Sequence, residues 1–166
     1  GSKGVRIERK STMTLDKEQI KEFKKSEAKA KEFLELRYVG DELSEAGDLE
    51  WARKVYEKAE KNSDMRRGDM DSLADSLVTH LNDEEWARKV YKKSETMADN
   101  DEDFCSPLFV IAGKLNKVLG DEEWSRKVYK KAEASAEGFY DVHNLANSLY
   151  ENLGDNVWAE KLYKKA

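Results

Sequence analysis

Acidic side chains alternate along residues 99–103, where Asp99, Asp101 and Asp103 have the spacing of the first ligands in a calcium-binding loop. Such a loop then needs a glycine and, at its twelfth position, a glutamate that binds calcium through both carboxylate oxygens. The chain has Phe104 and Val110 at those two positions. The sequence therefore predicts a solvated acidic loop and no metal site.

Residues capable of acid–base or nucleophilic chemistry are few and far apart. His80, His143 and Cys105 fall in different parts of the chain, and none has a paired base or orienting group beside it in the pattern. No phosphate-binding loop, zinc-ligand spacing or nucleotide fingerprint is present. We therefore predict that the protein is not an enzyme and has no catalytic residue and no cofactor.

The composition favours a soluble chain with much surface. Of its 166 residues, 39% are hydrophobic and 39% are charged, and the formal net charge is −5. This acidic balance gives no general attraction to nucleic acid or anionic lipid, and no apolar run approaches the roughly 18 residues of a membrane span. The single cysteine is compatible with a reducing cytosol, so we expect a cytoplasmic protein without disulfides.

One segment occurs four times with small changes. Trp-Ala-Arg-Lys-Val-Tyr at 51–56 returns at 86–91, as Trp-Ser-Arg-Lys-Val-Tyr at 124–129 and as Trp-Ala-Glu-Lys-Leu-Tyr at 158–163. The tryptophans thus recur at a nearly constant interval, at Trp51, Trp86, Trp124 and Trp158. Self-similarity at such a period indicates stacked units that are each too small to bury an apolar face alone.

Each repeat is predicted to be a helical hairpin with a tight turn. The first helix ends at a residue that tolerates the left-handed conformation, and an aspartate then caps the second helix. The four turns are Gly47-Asp48, Asn82-Asp83, Gly120-Asp121 and Gly154-Asp155. In the third unit, Ser106 is predicted to cap the first helix, with Pro107 as its first residue.

The start of the chain differs from the repeats. Gly1-Ser2 is typical of a cloning remnant, and residues 1–13 are polar and without periodicity, so we predict a tag and a disordered segment there. Asp16 and Gln19 have capping-box spacing, which predicts a cap helix at 16–31. The helical repeat domain then spans 14–166, with repeats at about 33–63, 69–98, 106–136 and 140–166.

The hairpins resemble the tetratricopeptide repeat (TPR). This repeat has Leu-Gly-x-x-Tyr on its first helix, helix A, and Ala-x-x-x-Phe on its second helix, helix B. Val39-Gly40-x-x-Leu43 and Ala52-x-x-x-Tyr56 match this pattern, and the anchors Val39 and Ala52 have the spacing found in the family. The other three repeats have a slightly longer anchor spacing and lack the terminal proline, and Sel1-like and HEAT repeats are related alternatives. The resemblance implies an all-α, right-handed solenoid of stacked antiparallel hairpins.

The resemblance further implies a non-catalytic scaffold that binds a peptide or a partner helix in a groove lined by helices A. The implied ligand-facing positions are Arg37, Asp41, Ser44, Asp71, Asp75, Val78, Thr79, Phe109, Asn116, Lys117, His143, Asn147 and Tyr150. Because the first part of this groove is acidic, we expect a ligand that carries basic residues, with Phe109 and Tyr150 as apolar anchors. We also expect further helices in the intact protein, or end-to-end self-association of this chain.

Two other functions remain open, a structural spacer in a longer array and a contact with nucleic acid or membrane through the basic residues of helices B. Glutamates four residues before those basic residues predict a self-neutralised, solvated face, so we expect neither nucleic acid nor membrane as a partner. The tryptophans could form a recognition stripe, but their spacing favours core packing.

Overall fold

The computed structural model describes residues 14–62, 64–101 and 105–166, and every regular element in these ranges is helical. The helices are α1 (Lys17–Lys29), α2 (Phe33–Glu45), α3 (Leu49–Glu60), α4 (Arg67–Leu81), α5 (Glu84–Asp99), α6 (Cys105–Lys117), α7 (Glu122–Ser135), α8 (Gly138–Ser148) and α9 (Asn156–Lys165). A π-helical turn, Leu149–Leu153, follows α8. The prediction of an all-α protein is confirmed, whereas the predicted disorder over 1–13 lies outside the described residues.

The chain divides into two compact units, residues 1–83 and 84–166. Unit 1 contains α1 to α4; α2 packs against α3, and α1 and α4 both contact α2. Unit 2 contains α5 to α9; α6 packs against α7, α8 packs against α9, and α6 also contacts α8. The boundary falls between α4 and α5, which are the two helices of the second predicted repeat.

The predicted capping box and the predicted aspartate caps at Asp48, Asp121 and Asp155 are present. Asp16 and Gln19 form the reciprocal capping box at the start of α1, with hydrogen bonds of 2.8 and 3.0 Å. The predicted left-handed residues have positive φ angles, which are 100° at Gly47, 51° at Asn82, 67° at Gly120 and 71° at Gly154. The aspartates Asp48, Asp121 and Asp155 each accept a hydrogen bond of 3.0 Å from the backbone N–H of the tryptophan three residues on.

The four turns predicted from the repeats are of two widths. In the first repeat, the Asp48 N–H donates to the Leu43 carbonyl, five residues back, at 3.0 Å. In the other three repeats the equivalent bond reaches back six residues, from Asp83 to Leu77, from Asp121 to Leu115 and from Asp155 to Leu149. The extra residue that lengthens the anchor spacing in these repeats is therefore accommodated in the turn itself.

The predicted start of the third hairpin is wrong by two residues. α6 begins at Cys105, so Ser106 is inside the helix rather than at its cap, and Pro107 is the third helical residue. Proline is tolerated there because the first four N–H groups of a helix have no intrahelical partner. Burial of the Cys105 side chain, which is 1% exposed, accompanies this earlier start.

The four tryptophans are half-buried, less enclosed than the sequence predicted. Two of the indoles pack edge-on against an aromatic ring of another helix, Trp51 against Phe23 of α1 (6.0 Å between ring centroids) and Trp158 against Tyr129 of α7 (6.1 Å). The fully buried aromatic position is the tyrosine five residues later, represented by Tyr56 and Tyr129. Trp51 and Trp158 thus join alternate helices, α1 to α3 and α7 to α9, rather than form an exposed recognition stripe.

Candidate binding groove

A polar cluster occupies the implied ligand-facing positions of unit 1. The Tyr56 hydroxyl donates to Asp41 Oδ1 at 2.6 Å, Arg37 Nη1 donates to Asp41 Oδ2 at 3.1 Å, and His80 Nε2 lies 3.6 Å from Asp41 Oδ1. Arg37 also donates to Ser76 Oγ at 3.3 Å. Burial, together with the adjacent carboxylate, raises the pKa of the Tyr56 phenol well above its ordinary value. The Asp41 carboxylate is therefore already bonded within the fold.

The other implied positions in unit 1 are also largely enclosed. Asp71 is only 5% exposed, and the buried Ser44 hydroxyl donates to the Gly40 carbonyl at 2.9 Å. Asp75 and Val78 are half-buried, and Thr79 is exposed. These residues form a packed polar surface more than an open groove for a basic ligand.

Unit 2 has an open groove of about 430 Å³ between α6 and α8 with its π turn. Three implied positions, Phe109, Lys117 and Asn147, line it. The remaining lining residues are Val110, Gly113, Lys114, Asn144, Ser148, Glu151 and Asn152. The groove therefore combines an apolar wall at 109–110 with three side-chain amides and two ammonium groups.

Gly113 allows the π turn to approach α6. A Cβ atom added to Gly113 would lie 2.8 Å from Asn152 Nδ2 and 3.1 Å from Asn152 Cβ, closer than real side chains pack. The Asn116 amide then donates to the Asn152 carbonyl at 2.9 Å, which ties the two helices together. Asn116, an implied ligand contact, thus helps to hold the groove in shape.

Buried hydroxyl groups fix the floor of the groove. The Ser148 Oγ lies 2.8 Å from the Tyr129 hydroxyl and 3.4 Å from the Phe109 carbonyl, and it accepts from Asn152 Nδ2 at 3.3 Å. Burial raises the pKa of the Tyr129 phenol, so the hydroxyl stays protonated and available as a donor. These bonds hold α8 and its π turn on α6 and α7, which pre-organises the lining side chains.

The last two implied positions lie near the groove without lining it. His143 stacks on Phe139 (5.3 Å between ring centroids) and contacts the Tyr163 ring edge-on, and the Tyr163 hydroxyl donates to Asn147. Tyr150 is exposed at the outer side of the π turn. Asn147 is therefore held from one side and open to the groove on the other.

Several basic residues of the predicted helices B (α3, α5, α7 and α9) are paired. The predicted four-residue pairs are present at Glu50–Lys54, Glu85–Lys89, Glu122–Arg126 and Glu123–Lys127, with distances of 4.0, 3.8, 3.0 and 3.4 Å. Arg88 pairs instead with Asp121 at 2.7 Å. These pairs neutralise much of the basic ridge that a nucleic acid or a membrane would need.

A second arrangement, not predicted from the sequence, joins alternate helices through a glutamate carboxylate that is at least half-buried. In unit 2, Glu95 accepts from the Trp124 indole at 3.0 Å and from Lys131 at 2.8 Å. In unit 1, Glu27 of α1 accepts from the Trp51 indole at 2.9 Å and from Lys58. The common arrangement shows that α1 contacts α3 in the same way as α5 contacts α7.

These carboxylates are held ionised by their donors. Burial by itself would raise the pKa of Glu95, but hydrogen bonds from Lys131, Trp124 and Lys92 outweigh it and leave the pKa below its ordinary value. The same competition, with Lys58 and Trp51 as donors, lowers the pKa of Glu27. Both groups therefore favour the folded state above the ordinary carboxyl pKa.

Comparison with known proteins adds no relative, since neither a protein-family profile nor a curated protein nor a solved structure matches this chain. Within the described ranges, no three histidine, cysteine or acidic side chains converge as a metal site would require. Asp99, the first acidic residue of the calcium-like segment, ends α5 and pairs with Lys131 at 2.7 Å. None of the helices in those ranges is long and apolar enough to cross a membrane.

Proposed function

We propose that this protein is a TPR-like helical scaffold whose groove in unit 2 binds an extended peptide segment of a partner protein. The observation that carries the proposal is the groove between α6 and α8, with Phe109 on one wall and Asn144, Asn147 and Asn152 across from it. An extended backbone leaves its N–H and C=O groups unpaired, and side-chain amides can both donate to and accept from them. The apolar wall suits one hydrophobic side chain.

The charge of the groove indicates the flanking chemistry of the ligand. Lys117 is exposed at one end, and the lining contains two lysines and one glutamate. An acidic residue beside the hydrophobic anchor would therefore be favoured here. This differs from the basic ligand expected from the sequence, because the Asp41 carboxylate of unit 1 already bonds Tyr56 and Arg37.

Selection from a phage-displayed library of linear peptides tests the proposal. We expect the full chain to enrich sequences with a hydrophobic residue followed or preceded by an acidic one. Phe109→Glu should lower the affinity for the selected peptides at least roughly tenfold, because it places a carboxylate on the apolar wall. Leu34→Glu, on an exposed leucine of unit 1, is the matched control and should bind like the wild type. If no peptide is enriched, the chain acts as a spacer instead.

A second variant alters the groove without adding charge. Gly113→Ala should displace Asn152 and the π turn, because the new methyl group would overlap the Asn152 side chain. We expect the affinity for a selected peptide, measured by fluorescence anisotropy, to fall roughly three- to tenfold. Gly68→Ala, where an added methyl group meets nothing within 4 Å, should leave the affinity unchanged. Equal affinities for the two variants would place the peptide elsewhere.

A further inference from the structure

Three equivalent ion pairs join an arginine of one repeat to the aspartate in the turn of the next repeat. The arginine two residues after the tryptophan reaches the aspartate that precedes the following helix B. The pairs are Arg53–Asp83 at 2.8 Å in unit 1, and Arg88–Asp121 at 2.7 Å and Arg126–Asp155 at 2.8 Å in unit 2. This arginine therefore marks the side of each helix on which the next repeat lies.

The fourth repeat reverses the charge at this position. Glu160 of α9 occupies the place of the three arginines, and Val157 replaces the glutamate that precedes each of the other tryptophans. Glu160 has no ion-pair partner within the described ranges. Lys164, one helical turn further on, is exposed in the same stripe and has none there either. The side of α9 that corresponds to a repeat junction thus has its own charge pattern.

Apolar groups exposed beside this stripe resemble an uncovered junction. Tyr163 is 37% exposed, whereas Tyr56, Tyr91 and Tyr129 at the equivalent position are fully buried. Phe139 and Tyr140 at the start of α8 are 56% and 79% exposed, and Val157 is 68% exposed. Next to Phe139 is a cavity of about 340 Å³ that Leu162 and Val142 also line. Clustered exposed aromatic side chains of this kind are typical of an interaction surface.

We propose that this end face, made of Phe139, Tyr140, Val157, Glu160, Tyr163 and Lys164, binds the same face of a second copy of the chain in a two-fold symmetric dimer. The charges carry the argument. When two α9 helices lie antiparallel across a two-fold axis near residue 162, Glu160 of each copy faces Lys164 of the other. An arginine at position 160, as at the equivalent position of the other repeats, would instead face Lys164.

The requirements of two-fold symmetry and of apolar contact are both consistent with a second copy of the chain as the partner. A two-fold interface uses one surface patch twice, so each charge complementarity occurs in duplicate. The exposed aromatic side chains supply the apolar contact that exposed ion pairs alone do not provide. Self-association is one of the two alternatives expected from the sequence, beside further helices, and none of these six residues lines the peptide groove.

Sedimentation equilibrium of the full chain over a concentration series tests the dimer. We expect a monomer–dimer equilibrium in the wild type, and at least a roughly tenfold weaker dimer for either Glu160→Arg or Lys164→Glu, because each places like charges opposite one another. The double variant Glu160→Lys with Lys164→Glu should restore the wild-type affinity. Glu160→Arg introduces the residue found in the other repeats, so it is expected to fold normally.

The control is Glu57→Arg, which makes the same change of net charge on an exposed site of α3 and should leave the dimer unchanged. Two results would overturn the proposal. The first is a wild-type chain that stays monomeric at every concentration, which would leave the end face to a different partner. The second is a dimer that Glu160→Arg does not weaken.

Discussion

Replacement of Gly40 with alanine is expected to lower the free energy of unfolding by about 3 kcal/mol, near the upper end of the range for overpacked cores. Gly40 lies on α2 opposite the fully buried Tyr56, and an added Cβ would lie 2.5 Å from Tyr56 Cε1 and 2.7 Å from Cδ1. The ring cannot move away easily, because its hydroxyl is bonded to Asp41. Relief of the overlap therefore requires α2 and α3 to separate.

Urea denaturation followed by circular dichroism measures this loss. Gly68→Ala is the matched control, since Gly68 is an exposed helical glycine with open space around it. Alanine is the better helix former, so this control should be neutral or more stable by up to about 1 kcal/mol. Equal destabilisation by the two variants would show that the approach of Tyr56 to α2 is not what requires a glycine at position 40.

Glu95→Gln is expected to cost about 2 kcal/mol of unfolding free energy at neutral pH, as for loss of a charged hydrogen-bonding partner in a buried site. The Glu95 side chain is 6% exposed and accepts from Lys131, Lys92 and the Trp124 indole. Glutamine keeps the shape and one acceptor oxygen, but it removes the charge that balances the two lysines.

The pH dependence of this difference has a definite sign. The pKa of Glu95 is lower in the folded than in the unfolded chain, so its stabilisation is present above the ordinary value of 4.5 and is lost as the pH falls through the folded value. The gap between wild type and Glu95→Gln should therefore shrink on acidification. Glu123→Gln, at an exposed pair with Lys127, should cost less than about 0.5 kcal/mol at any pH. A gap that does not change with pH would contradict the ionised state of Glu95.

Features that depend on near neighbours in the chain could be predicted from the sequence. The left-handed turns at Gly47 and Asn82 and the cap at Asp48 follow from rules that act over a few residues, and all three are present. The predicted start of α6 is wrong because a serine followed by a proline is also the common pattern of a helix cap and its first helical residue. Burial of Cys105 concerns tertiary packing, which such local rules do not include.

The groove could be predicted only in part, because its shape depends on contacts between distant residues. Phe109 and Asn147 were found from the repeat register, but Asn152 reaches the groove through the approach of the π turn to Gly113, on a helix of the preceding repeat. In the sequence, the wider turn of this repeat is indicated by the longer spacing between the anchor residues of its two helices. The carboxylate of Asp41 was expected to face a ligand, but it is bonded within the fold. The sequence did not show this, because its partner His80 belongs to the following repeat.

The hydrogen bonds of the indoles also affect the fluorescence of the protein. Trp51 donates to a carboxylate and meets a phenylalanine edge in unit 1, whereas Trp124 donates to a more deeply buried carboxylate in unit 2. Indole emission shifts when a charged acceptor and a dry surrounding are exchanged for water. Unit 1 therefore contains a single tryptophan whose spectrum registers the opening of the junction between α1 and α3, whereas the emission of unit 2 combines Trp86, Trp124 and Trp158.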